Sequence, residues 1–360
     1  MQFGVNFFPS VGPAEMPAAR YWQEALDLAE HADGLGYHHI RTVEHYFEPY
    51  GGYSPNPIVF LAAAAQRTKR LRLVTGAVLP VFNHPLKLAG EIGMLDAISG
   101  GRLEVGFARA FLPHEFERFG RSLDESRARF DEGVEQVRRL LVEENVTAEG
   151  RFHRFRNVTS LPRPTQHPAP PFWIAASTTA ETFVAAGRAG YAIMCIPLAA
   201  AKMSELIGQY REAWRAAGHA GGGRVMLAFS MCCMPTAEEA VAAYRARIDS
   251  YMAALAAAAA GWTAGTASRD YVGYDKMVAA IRAETFDSQR AKGTCWAGSP
   301  AELRAMIADY ERAVPFEVAS LQVNQHGMPL DQAKRSLQLF AAEVMPHFAE
   351  ARQPALAGRE

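Results

Sequence analysis

The sequence predicts an α/β protein, a (β/α)8 TIM barrel with insertions, and three observations point there. Short β-rich runs alternate with longer helical patterns about eight times. The strand runs are dominated by Val, Ile, Leu and Phe without clean alternation, which suits a parallel sheet covered on both faces. The 360 residues are 49% hydrophobic and 21% charged, enough to bury a large core, and α/β barrels commonly form one unit of about 250 residues or more.

The rhythm opens with QFGVNFF and a helix over 21–35, HHIRTVEH and a helix over 57–69, then LRLVTGAV and a helix over 85–98. Pro85 fits a first helical turn, Ser99-Gly100-Gly101 stops that helix, and residues 124–126 offer N-cap oxygens for the next. RLEVGFAR precedes a helix over about 122–143, PFWIAAS one over 182–189, and YAIMCIP one over 202–216. VMLAFSMCC leads into a helix from 238, and VASLQVN into one over 331–344. The tract YMAALAAAAAG at 251–261 reads as helix, because alanine is the best helix former and glycine closes the run. Residues 147–170 and 261–292 depart from the rhythm, and such excursions are usually lids or binding loops. The second, with a short helix over 271–282, is expected to be a mobile lid. A single domain over 1–350 and a tail over 351–360 are expected.

Lys+Arg 37 against Asp+Glu 38 leaves a net charge of -1, which disfavours nucleic acid and polybasic membrane anchoring and favours small-molecule chemistry. The start MQFGVNFFPS lacks signal-peptide character and no apolar stretch is long enough to span a bilayer, so a soluble cytoplasmic protein is expected. The four cysteines show no CxxC spacing, and no metal is expected. HExxH, Walker and GxSxG motifs do not occur, and the glycines at 221–223 lack the context of a nucleotide fingerprint.

In a parallel barrel, reacting groups stand at the C-terminal strand ends. The second strand ends in Thr42-Val43-Glu44-His45-Tyr46-Phe47, where His45 serves either as general base or hydrogen-bond donor, or as a loop anchor. Thr75-Gly76-Ala77 ends the third with small residues, where a planar ring can approach or where glycine merely relieves crowding. Gly106-Phe107-Ala108-Arg109 ends the fourth, and Arg127 starts the next helix; two guanidinium groups match one phosphate, or Arg127 pairs with surface acids. Ala176-Ser177-Thr178 ends the fifth, with hydroxyls and helix-start N–H groups suited to an anion or to ordinary capping. His84 fits a helix cap better than chemistry, and His326 stands at the barrel mouth beside a turn glycine. Tyr46, Phe47, Phe111, Met194 and Met231 either line an apolar pocket or pack the core.

Several of these segments, taken in order, resemble the bacterial luciferase family. Glu44-His45-Tyr46-Phe47 resembles its EHHF, Leu79-Pro80 with His84-Pro85 its LPxxHP, and Asp96-Ala97-Ile98-Ser99-Gly100-Gly101-Arg102 its LDxxSxGR. The N-terminal FGVNFF, the Arg109 strand, the Ser126-Arg127-Ala128 helix start and Glu343-Val344-Met345-Pro346 follow the same register. The resemblance implies a luciferase-like barrel and FMN, with the phosphate held by Arg109, Arg127 and Ser177 and nearby backbone. It places the ring against Gly76-Ala77, with a non-proline cis peptide there, and brings Thr75, Ala108, Ala176 and Thr178 to the cofactor. His45 matches the catalytic histidine, with Glu44 a neighbour of the flavin or of His45.

The implied activity is a two-component monooxygenase. Reduced FMN, supplied by a separate NAD(P)H:flavin reductase, reacts with O2 through a C4a-peroxyflavin to oxygenate a small organic substrate. Ala108 stands where the luciferase alpha subunit has a reactive cysteine, Tyr46 where a second histidine is common, and Leu112 where luciferase has tyrosine, so light emission and alkanal substrates are not carried over. The rivals are an F420-dependent dehydrogenase transferring hydride and a non-catalytic flavin-binding subunit. A homodimer is expected through the alanine-rich helix containing residues 60–65, with packing inside the monomer the alternative.

Overall fold

The computed structural model describes residues 1–348, so the 351–360 tail lies outside the described residues. Among the described residues the strands are, in chain order, β1 (Gln2–Phe7), β2 (His39–Thr42), β3 (Arg72–Val78), β4 (Leu103–Phe107), β5 (Val146–Glu149), β6 (Arg154–Val158), β7 (Phe172–Ala176), β8 (Ala192–Cys195), β9 (Val225–Cys233), β10 (Cys295–Gly298) and β11 (Val318–Gln322). Parallel pairing runs β11-β1-β2-β3-β4-β7-β8-β9, and β9 pairs back to β11, closing eight strands into a TIM barrel. These are the eight strands expected. The addition is β10, which pairs with the upper half of β9 from Cys295↔Ser230 to Gly298↔Cys233.

A helix follows each barrel strand, and the starts obey local chemistry. Asn56 accepts from the Ile58 N–H ahead of Pro57, and His84 accepts from the Leu86 N–H ahead of Pro85. His84 is therefore a helix cap. Gly100 closes the helix Pro85–Ser99 in the left-handed region at φ 65°, where a Cβ is penalised. The alanine tract is helical to Ala258 and then tightens into a 3-10 turn over Ala260–Ala264.

Two apolar layers result. Val74, Trp173, Met194, Met226 and Val318 fill the barrel interior, while the larger cluster packs the outer strand faces against the helices. At the N-terminal end a polar plug replaces apolar packing. Buried Glu104 accepts from Trp173 Nε1 at 2.6 Å and from Arg72 Nε at 2.8 Å.

The first excursion is not a lid. Its β5–β6 hairpin is fastened to the helix Ser126–Val142 by Glu132, whose carboxylate accepts from the N–H groups of Arg151, Phe152 and His153 at 2.8–3.2 Å. Arg163 then caps the same helix, donating to the carbonyls of Leu140, Leu141 and Glu143. The second excursion folds into 3-10 turns and the helices Tyr274–Arg282 and Phe286–Ala291. It reaches back over the C-terminal mouth: Trp262 Nε1 donates to Phe111 O at 2.9 Å and Tyr271 Oη to Ala110 O at 2.8 Å.

Candidate active site

Glu44 and His45 leave β2 at the C-terminal mouth, both buried, and turn to different partners. Glu44 Oε2 accepts from Leu79 N at 3.0 Å and Oε1 from Asn83 Nδ2 at 2.9 Å, with Tyr46 Oη donating to the same oxygen. Burial pushes its carboxyl up to about 7, against the pull of these donors. Glu44 does not hydrogen-bond to His45. That partner is Glu115, fully buried on the short helix Pro113–Arg118, which the sequence reasoning missed. Its Leu-Pro start and acidic first turn are signals that could have located the helix, but nothing local tied Glu115 to a histidine 70 residues earlier.

Glu115 Oε1 already accepts from the Tyr46 N–H at 2.9 Å, so the 3.1 Å contact to His45 Nδ1 requires the ring to donate there. That selects the tautomer with Nε2 free as an acceptor. The ring is set among Phe8, Tyr50 and Phe111 with centroids 5.3–6.1 Å away. Gly51, at φ 81°, packs its Cα edge against the imidazole, where a Cβ would collide with the His45 side chain.

Gly76 and Ala77 end β3, and the peptide between them is cis, as expected. The β3–β4 register shifts there. Thr75 bridges the shift, its hydroxyl donating to Gly106 O at 3.0 Å and accepting from Gly106 N at 2.8 Å. The Thr75 hydroxyl is thus committed to the barrel wall. Gly106 has no room for a Cβ, which would collide with Thr75 O and the Met194 side chain. Ala77, Ala108 and Ala176 stand at or just past the C-terminal ends of the adjoining strands β3, β4 and β7, so this part of the mouth carries small residues.

Arg109 and Arg127 are half-buried and come together on one side of the mouth, both acting on Asp131 and Tyr274. Among the described residues neither makes a salt bridge with a carboxylate. The Arg109 guanidinium lies 4.6 Å over the Tyr271 ring and donates to Asp270 O at 3.2 Å. Asp270 Oδ2 accepts from the Arg127 N–H at 3.0 Å and Ser126 Oγ at 3.2 Å, which ties the second excursion to the start of the helix Ser126–Val142. Ala176, Ser177 and Thr178 close the neighbouring β7, with Phe107↔Ile174 in register, and the two hydroxyl residues are exposed. No hydrogen bond joins Ser177 or Thr178 to either arginine among the described residues.

These residues fit a flavin phosphate: two guanidinium groups without ion-pair partners beside open hydroxyls, next to a small-residue wall suited to a flat ring. Of the lesser candidates, Met194 belongs to the barrel interior, whereas Met231 is buried on its outer side, accepting from Ser336 Oγ. Phe47 is 52% exposed. His326 builds the turn after β11, its Nδ1 bound to Ser10 O at 2.7 Å. Among the described residues no group of three or more His, Cys, Asp or Glu could hold a metal ion, and no helix is long and apolar enough to cross a membrane.

Residues 1–315 match the family described as luciferase-like monooxygenase. The chain belongs to the luciferase-like monooxygenase family. Within it, the chain is 30% identical over 336 residues to the oxygenase component of the flavin-dependent trigonelline monooxygenase of Acinetobacter baylyi, covering 92% of this chain and 91% of that one. An uncharacterised protein of Sinorhizobium fredii is 41% identical over 157 residues, so that match spans 46% of the relative and 44% of this chain. Among solved structures, the monooxygenase RslO1 from Streptomyces bottropensis superposes with a TM-score of 0.87 at 45% identity, covering 97% of this chain and all of that one.

Proposed function

We propose that this family member is a two-component monooxygenase that takes reduced FMN from a separate NAD(P)H:flavin reductase and uses O2 to oxygenate a small organic substrate. The observation that carries this reading is one mouth holding an oriented imidazole with a free Nε2, a small-residue wall and two guanidinium groups without ion-pair partners. The relative that matches along nearly its whole length is named an oxygenase component, which supports a separate reductase.

When bound, reduced FMN would supply the electrons that activate O2, through the expected C4a-peroxyflavin. Arg109, Arg127 and Ser177 would hold the phosphate, with Thr178 and the backbone of Ala176 beside it. Gly76, Ala77 and Ala108 would face the ring, with Thr75 fastening the wall behind them. His45 would hold or exchange a proton at Nε2 with the reacting oxygen or the substrate, while Glu115 keeps Nδ1 protonated. Glu44 would keep the adjacent loop at Leu79–Asn83 in place. The 261–292 segment would exclude water by closing on Phe111 and Ala110.

One domain over 1–350 and a cytoplasmic homodimer belong to the same reading. On the helix Pro57–Arg67, Phe60, Leu61, Ala64 and Ala65 are buried within the monomer, while Ala63 is exposed beside Val59, itself 68% exposed; Met94, 57% exposed, and Ile98 stand on the neighbouring helix Pro85–Ser99. That apolar face suits a second copy.

The deciding experiment mixes anaerobically reduced FMN–protein with O2 and follows the flavin spectrum, with F420 in a parallel arm. An oxygen-dependent flavin adduct discharged by substrate supports the reading. Tight F420 binding, with no oxygen-dependent turnover on reduced FMN, would replace it with hydride transfer; a flavin-bound chain without turnover would make it a binding subunit.

A further inference from the structure

Arg41 is a buried guanidinium that the barrel leaves without a counter-charge. It stands mid-strand in β2, in register with Asn6 of β1 and Val74 of β3, and is only 7% exposed. Its side chain reaches toward the mouth until it lies against Gly76, where a Cβ would overlap its Nε, Cδ and Cγ. Nη1 has Met226 Sδ at 3.9 Å as its hydrogen-bond partner, and among the described residues Nε has none. Asn6 Oδ1 and Gln322 Nε2 are likewise buried without partners, although the two side chains bond to each other at 3.3 Å.

No carboxylate reaches Arg41 within salt-bridge distance among the described residues. The titratable groups around it are Tyr50 from the loop after β2, Tyr251 from the helix Ala237–Ala258, Cys195 at the end of β8 and His39 two residues before it on β2. Burial raises the tyrosines and the thiol and depresses the imidazole, so all four are neutral at pH 7. Arg41, itself lowered to about 10 by burial, stays cationic. A buried charge of this kind is costly unless an anion pairs with it.

We propose that Arg41 makes the site select the oxidation state of its cofactor, holding anionic reduced flavin more tightly than the neutral oxidised form. The proposal rests on the reading above, in which the ring lies against Gly76-Ala77. Oxidised isoalloxazine is neutral, whereas the reduced ring loses a proton from N1 near neutral pH and carries a negative charge. An unscreened cation directly behind Gly76 acts on that charge in a low-dielectric setting. The phosphate is identical in both forms, so Arg109 and Arg127 bind them alike; Arg41 is the cation positioned to tell them apart. An oxygenase that receives its flavin already reduced needs such a preference.

The test is anaerobic titration of the full-length protein with oxidised and with dithionite-reduced FMN, for the wild type, Arg41→Met and Arg41→Lys. The wild type should prefer reduced FMN by about tenfold or more, equivalent to a rise of about 30 mV in the two-electron potential of the bound flavin. Arg41→Lys keeps the preference. Arg41→Met loses it, with oxidised FMN affinity nearly unchanged. Equal weakening of both forms in Arg41→Met, or an intact preference, overturns the proposal. If Arg41→Met does not fold, the wild type alone decides, because its preference must shrink between about pH 8 and pH 5.5 as the reduced ring becomes neutral. Glu44 also becomes negative toward pH 8 and would repel the anionic ring, a trend of opposite sign, so a preference that grows with pH reports the ring charge; a ratio that is constant or falls toward pH 8 overturns the proposal. Failure of the wild type to bind FMN in either form would instead sink the flavin reading itself.

Discussion

His45 Nδ1 lies 3.1 Å from Glu115 Oε1, and the same oxygen accepts the backbone N–H of Tyr46 at 2.9 Å. One buried carboxylate thereby sets both the tautomer of the imidazole and the path of the chain beside it. Among the described residues Glu115 Oε2 has no partner, so both contacts fall on Oε1.

Replacing His45 by Asn should lower turnover by about 10²-fold or more while leaving FMN affinity within a few-fold of wild type. Glu115→Gln, which retains an acceptor but not the charge, should lower turnover less, about tenfold, with FMN affinity again preserved. Steady-state kinetics beside flavin titration separates the two effects. Equal losses in binding and turnover would make both residues structural.

Removing either Arg109 or Arg127 should weaken FMN binding by about 10- to 100-fold, the worth of charge-assisted hydrogen bonds to a phosphate of about 1.5–3 kcal/mol. Riboflavin, which lacks the phosphate, should bind wild type and Arg109→Met alike. A riboflavin affinity that fell as far as that of FMN would move Arg109 from the phosphate to the ring.

Glu44 makes stability depend on pH. Its carboxyl is raised by burial to about 7 in the folded protein, above its unfolded value of about 4.3. A raised carboxyl adds stability that is complete below the unfolded value and lost as pH rises through the folded one. Relative to Glu44→Gln, the wild type should therefore lose up to about 3 kcal/mol between pH 4.5 and pH 8, read as converging or crossing melting temperatures. Parallel pH profiles would show the three donors to Glu44 outweighing its burial.

Asp270 links the 261–292 segment to Arg127 and Ser126 at the start of a helix. Asp270→Ala should cost about 1 kcal/mol of local stability, the worth of a helix cap. It should raise amide exchange over 261–292 and, by admitting water, raise peroxide released per turnover. Unchanged exchange there would mean that its other ties, such as Trp262 and Tyr271 at the mouth and Ser268 and Arg269 on Asp124, hold the segment without Asp270.

At the opposite end of the barrel, Glu104→Ala would strand the Trp173 indole N–H and remove the one carboxylate on Arg72 Nε, leaving its other nitrogens on Gly101 O, Leu103 O and Gln166 Oε1. A loss of about 1–3 kcal/mol in stability is expected, the cost of an unsatisfied buried donor, with flavin affinity unchanged in the protein that remains folded. Chemical denaturation and flavin titration of the same preparation check both halves.

Periodicity over 5 to 20 residues made all eight barrel strands legible, because burial on both faces leaves unbroken apolar runs such as VMLAFSMCC. β10 escaped because CWAG is flanked by Gly, Thr, Ser and Pro, whereas the equally short β2 and β8 lie within the longer β-rich runs HHIRTVEH and YAIMCIP. The helix Pro300–Ala313 escaped as well, although its capping box Ser299–Glu302 stands in the sequence. The hairpin of the 147–170 excursion is not legible in the sequence because it depends on Glu132, a residue on another element.

The sequence by itself determined the barrel, the placing of Glu44, His45, Arg109, Arg127 and Ser177 at strand or helix ends, and the resemblance that proposes their roles. These follow from local pattern and from chain order in a parallel barrel. Only the tertiary structure decided the partners: Glu115 rather than Glu44 for His45, Asp270 for the start of the arginine-bearing helix, and, among the described residues, no carboxylate for Arg41. Such pairings span 70 or more residues. Closing the barrel brings those residues together, and burial then raises or removes the charges they carry, neither of which local periodicity encodes.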